Sequence, residues 1–117
     1  MPETVNYLDA EKCIHVHSYG ETSINDWENS MQQVIEIHNN TGCQRVLVDV
    51  REQNSTPSTL EILEFGKHLP YGIQFAIVAT AKTHEPHYFL ETVGRNRGKD
   101  ITLFNDYDDA LSWLTDG

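Results

Sequence analysis

Residues 46–61 read VLVDVREQNSTPSTLE. An apolar, β-branched strand at 45–50 runs into Asp49 and Arg51, and after it come a cluster of hydroxyls and residues at helical spacing. Residues 73–79, IQFAIVA, carry no charge. A near-continuous apolar strand is covered on both faces, which is the situation in parallel sheets with helical crossovers. Two such strands with a helix-spaced segment between them make a β-α-β unit.

The rest of the chain extends that unit. Residues 13–19 alternate, with Ile14 and Val16 on one face and His15 and His17 on the other, so they form a strand. Residues 5–8 form its hairpin partner across the turn at 9–12. Thr22 or Ser23 caps a first helix that carries Asp26 in its opening turn. Its apolar stripe is Ile24, Trp27, Met31, Val34 and Ile35, and Gly42 suits the left-handed stop. A second helix covers 57–68, with Leu60, Leu63 and Lys67 at helical spacing and Ile62, Phe65 and Leu69 beside them. A third covers 86–96, a last strand 101–104 and a last helix 106–114.

The resulting order, β-β-α-β-α-β-α-β-α, predicts an α/β domain. Its sheet is mixed and mostly parallel, of about five strands with four helices. Residues 1–117 are expected to make a single domain that buries roughly two thirds of its unfolded surface.

Charge restricts the function classes. The formal net charge is −10, and Lys12 is the only base among the first 40 residues. Polyphosphate backbones and anionic lipid surfaces are repelled, so no nucleic-acid partner is expected. The one basic run, Arg95-Asn96-Arg97-Gly98-Lys99, contains no aromatic residue and reads as a solvated loop. No apolar run reaches the ~20 residues of a membrane span. The first residues lack a basic segment followed by an apolar one, and two isolated cysteines, Cys13 and Cys43, are no disulfide framework. A cytoplasmic location is expected.

Three stretches carry a family resemblance. They are HVHSYGETSINDWENSM (15–31), GCQRVLVDVRE (42–52) and ITLFNDYDDALSWL (101–114). Together they resemble the SpoIIAA-like family, whose fold is that of STAS domains and is also compared with Sec14-type lipid-binding modules. The resemblance implies a non-enzymatic protein-interaction or regulatory module. Its Sec14 side implies the alternative of a small-molecule or lipid-binding domain, with an apolar cavity under helices 57–69 and 86–96. STAS anti-sigma-factor antagonists carry a switch serine in an Asp-Ser-Ser-Gly motif. Here Asn54-Ser55-Thr56-Pro57-Ser58-Thr59 stands in the corresponding loop, without that motif.

The hydroxyl cluster has two readings. Thr56 before Pro57 can cap the second helix, and Ser58 with Glu61 fits a capping box. Phosphorylation of Ser55, Thr56 or Ser58 would place a phosphate at a helix N-terminus, where it is favoured. Ligands of open α/β sheets bind beyond the carboxyl ends of the strands. That edge is expected to gather Tyr19, Asp49, Arg51, Ser55, Lys82, His84 and Asn105 as an interaction or ligand site. His15 with His17, and His84 with His87, lack the converging third and fourth ligands that zinc needs, and they read as half-exposed surface histidines. No nucleophile–base pair, phosphate loop or nucleotide fingerprint is present, so no catalytic residue, metal or cofactor is expected. The open edges of a small sheet need cover, which a homodimer would supply.

Overall fold

The structure, a computed structural model, describes residues 3–116. Strands β1 (Glu3–Leu8) and β2 (Cys13–Glu21) form an antiparallel hairpin with Val5 opposite Val16. Helix α1 (Ile24–Thr41), strand β3 (Arg45–Ser55), helix α2 (Thr59–Lys67) and strand β4 (Gln74–Val78) follow. Helix α3 (His84–Asn96), strand β5 (Asp100–Phe104) and helix α4 (Tyr107–Asp116) complete the order. The sheet runs β1-β2-β3-β4-β5, and every pair from β2 onward is parallel.

This topology places the helices. Each β-α-β crossover steps one strand in the same direction, so right-handed connections put α1, α2 and α3 on one face. Only α4, which follows the last strand, folds onto the other. The larger core joins Trp27 and Val34 of α1, Ile62 of α2 and Leu90 of α3 to Val46, Val50, Phe75 and Ile77 of the sheet. The smaller core sets Ala110 and Leu114 of α4 against Leu47, Ala76 and Val78. The apolar runs of β3 and β4 thus serve two cores, as their lack of alternation predicts.

Local chemistry fixes the helix ends. The Ser23 hydroxyl accepts from the Asp26 N–H while the Asp26 carboxylate accepts from the Ser23 N–H. Gly42 takes φ 76° and donates its N–H to the His38 carbonyl. Glycine lets α3 approach closely both α2, through Gly66, and β5, through Gly94. A Cβ on Gly66 would lie 2.8 Å from Val93 Cγ1, and one on Gly94 would lie 2.8 Å from Ile101 Cγ2. Gly94→Ala gains helix propensity but pushes a stiff β-branched side chain out of a packed core. A net loss of about 1 kcal/mol in urea unfolding is expected, and an unchanged midpoint would contradict it.

Helix α3 also covers the outer edge of β5. Arg95 donates from Nε to the Ile101 carbonyl and from Nη2 to Thr102 Oγ1, while the Glu91 carboxylate accepts from the Leu103 N–H. The basic run at 95–99 is therefore not a solvated loop. Arg95 closes that edge, and Lys99 is buried, with Nζ donating to the Leu69 carbonyl over the Tyr71 ring. A second difference concerns β3, which ends at Ser55 and not at Val50. Asp49 and Arg51 therefore lie within a strand, and α3 starts at His84, two residues before Pro86.

Candidate functional site

The extra length of β3 reorganises the strand-end edge. His17 pairs with Asp49, but Tyr19 pairs with Glu52, so two residues of β2 lie opposite three of β3. The additional residue is a β-bulge, which bends a strand and resets which side chains face which way. Arg51 and Glu52 consequently both serve the α4 side. Gln53 turns to the three-helix side and is buried.

On the α4 side Arg51 holds Asp49 in a fork, with Nε 2.9 Å from Oδ1 and Nη2 2.8 Å from Oδ2. Burial alone would raise the Asp49 pKa, but the Arg51 hydrogen bonds outweigh it and hold the carboxyl below the usual range. Arg51 also stands over the Tyr107 ring at 5.6 Å. His17 reaches Glu52, and the Tyr19 ring lies 5.3 Å from the His17 ring. Tyr19, Asp49 and Arg51 are thus one neighbourhood, in which Asp49 and Arg51 spend their charges on each other. Lys82 occupies the β4–α3 turn, where its Nζ donates to Asn54 Oδ1 at 2.7 Å, beside Ser55, and His84 opens α3 and stacks on Tyr88. Asn105 is exposed in the turn between β5 and α4. The seven residues fall in three places along the edge.

The structure chooses between the two caps of α2. Ser58 is the N-cap, with Oγ accepting from the Glu61 N–H and its own N–H donating to Glu61 Oε1 at 2.9 Å. Thr56 precedes the cap, and Ser55 is the last residue of β3, where its carbonyl accepts from Thr22 Oγ1. Ser55 and Ser58 are exposed, and so is Leu60, at 74%. Ser58→Ala is expected to cost about 1 kcal/mol by removing the cap. Ser58→Asp, an equally good cap residue, should leave the unfolding midpoint near that of the parent. Equal losses for both would show that the hydroxyl has a role other than capping.

A buried polar chain runs behind this edge. His87 Nε2 lies 2.7 Å from Gln53 Oε1, Gln53 Nε2 donates to Ser18 Oγ at 2.7 Å, and Ser18 Oγ donates to Glu3 Oε2 at 2.7 Å. Ser30 also donates to Glu3. Since Gln53 Oε1 can only accept, His87 must carry its proton on Nε2. Burial pushes the His87 pKa down to about 4. Burial also raises Glu3, although the two serine hydroxyls oppose it. His87 is thus not a half-exposed surface histidine: it is 2% exposed and stacked on Trp27. Sequence reasoning passed over this chain. Ser18 could have been found, since it keeps phase with Ile14 and Val16. Gln53 could not, because the bulge that turns it inward leaves no mark in the alternation.

The chain borders a cavity of about 60 Å³ whose walls include Trp27, Val34, Val48, Leu90 and the polar Gln53 and His87. A separate surface groove of about 800 Å³ runs between α1 and α2. Ile24, Ile35, Leu60 and Phe65 supply its apolar wall, and Glu28, Glu61 and Glu64 its rim. Among the described residues, no group of three or more His, Cys, Asp or Glu could hold a metal ion, and no helix is long and apolar enough to cross a membrane. Cys13 is buried and its thiol pKa is pushed up to about 11, chiefly by that burial.

Compared with known protein families and with curated proteins, the sequence matches none. Solved structures do match. A Shewanella loihica PV-4 protein of the DUF3478 family, described as having a SpoIIAA-like fold, superposes with a TM-score of 0.60 at 18% identity, over 96% of this chain and 91% of that one. The fold is SpoIIAA-like. An anti-sigma factor antagonist from Mycobacterium paratuberculosis superposes with a TM-score of 0.65 at 16% identity, over 96% of this chain and 92% of that one. At such identities the likeness is one of fold.

Proposed function

We propose that this protein is a regulatory, non-enzymatic protein-interaction module that meets its partner at the β3–α2 turn and the start of α2. The observation that carries this reading is Leu60, a large apolar side chain left 74% exposed just inside a capped helix. Rigid elements that present an apolar anchor beside polar groups are the usual make-up of a docking point. The anti-sigma factor antagonist among the structural neighbours supports a regulatory role. Phosphate on Ser58 would face the Glu61 carboxylate that now accepts from the Ser58 N–H, so modification would open the capping box and alter the docking point.

Affinity capture from native extract tests the reading with three baits: the parent, Leu60→Glu, and Asp9→Asn in the distant β1–β2 turn. A protein retained by the parent and Asp9→Asn but lost with Leu60→Glu is the expected result. Identical capture by all three would end the proposal.

The cavity favours a second reading, a small-ligand binder. It lies beneath α2 and α3, where a Sec14-like ligand would sit. Its volume of about 60 Å³ is less than half of the ~150 Å³ in which an engineered apolar cavity holds benzene, so it has no room for a lipid chain. Native mass spectrometry decides this reading. A retained mass that is lost on denaturation supports it, and a bare chain removes it.

A further inference from the structure

Met31, Phe65 and Leu69 line both voids: they floor the groove between α1 and α2 and roof the internal cavity. A single layer of side chains therefore separates the two. Met31 is unbranched and adaptable, and the space beneath it gives the layer somewhere to move.

The rim of the groove sets the charge of what enters. Glu28 and Glu61 are exposed, and Glu64 is shared with Lys67 at 3.4 Å. The whole chain carries −10. An anionic membrane or a nucleic acid would be repelled here, whereas lysine or arginine would be drawn to the rim. Two helices that wall an open apolar groove match the mode in which an amphipathic helix is bound by its apolar face.

We infer that the groove between α1 and α2 docks an amphipathic helix of a protein partner, with basic flanks and a central aliphatic side chain that presses between Met31 and Phe65 toward the cavity. The inference rests on the interaction-module reading and adds the chemistry of the occupant. The docking point at the β3–α2 turn forms one end of this groove, since Leu60 and Glu61 belong to both.

Panning a randomised peptide library against the folded protein tests it. Selected peptides are expected to carry leucine or isoleucine at helical spacing between lysines and arginines, and to bind more weakly as salt rises. Ile35→Glu on α1 should weaken them at least about tenfold, and Glu28→Arg on the exposed rim, which leaves the core untouched, several-fold. Val48→Ile with Val50→Ile fills the cavity from below. This pair should raise the melting temperature and still weaken the peptides. Acidic or patternless peptides, or equal affinity for Ile35→Glu and the parent, would overturn the inference, as would binding to anionic phospholipid vesicles. The two proposals fail separately. If Leu60→Glu loses the captured partner and Ile35→Glu keeps it, the groove is not the site and the interaction module stands.

Discussion

A chain with Gln53 replaced by leucine is expected to lose about 3 kcal/mol of unfolding free energy and to melt about 10 °C lower. The side chains are similar in volume, so the loss comes from hydrogen bonds. Gln53 accepts from His87 and donates to Ser18, and all three are buried. Leucine leaves the His87 N–H without an acceptor, while Ser18 Oγ keeps its bond to Glu3. Such an orphan costs about 1–3 kcal/mol, more than the bond itself contributed, and the lost Gln53–Ser18 bond adds about 1 kcal/mol. The asymmetry offers a control. Adding His87→Leu removes the orphaned N–H, and the double variant should recover part of the loss. Thermal and urea unfolding of the two variants check this. A double variant less stable than the Gln53 single would show that the chain acts through packing.

Acid is expected to remove a similar amount of stability through His87. The imidazole in the unfolded chain takes up its proton near pH 6.5, but in the folded protein only near pH 4. Between those values the unfolded state binds more protons, so lowering the pH favours unfolding. The His87 contribution is complete above pH 6.5 and falls by up to about 3 kcal/mol toward pH 4. Burial lowers the His15 pKa too, which adds to the same trend. Glu3 works the other way. Its folded pKa is raised above 4.5, so its share is present in acid and is lost as the pH rises through that raised value. Urea midpoints at several pH values, compared between the parent and His87→Leu, isolate the histidine. The variant should show a flatter acid limb, and parallel limbs would exclude His87 as the cause.

Much of the fold was legible in the sequence because its signals are local and redundant. The uncharged run IQFAIVA required cover on both faces, and β4 has it. Thr22 or Ser23 marked the start of α1 and Gly42 its end, and the structure gives the cap to Ser23. The site was less legible, because its geometry depends on pairing between strands. The run at 46–50 loses its apolar character at Arg51, so the strand reads as finished. The backbone continues to Ser55 because β2 pairs with it as far as Glu21. The bulge that this pairing contains between Asp49 and Glu52 decides that Gln53 is inside. Leu60 and Ile62 carry equal hydrophobic weight in the sequence, and only the way α2 sits against α1 and α3 buries Ile62 and leaves Leu60 out.

The clasp of Glu91 and Arg95 on β5 has a consequence for self-association. On that margin the Ile101 carbonyl and the Leu103 N–H are occupied by side chains of α3, which obstructs pairing with a neighbouring molecule there. At the other margin, among the described residues, β1 pairs with β2 alone. Growth of the sheet from one molecule to the next needs two such free margins, and this protein has one. Two copies that meet through β1 use up the margin of each and are related by a two-fold axis. Such an assembly terminates at two.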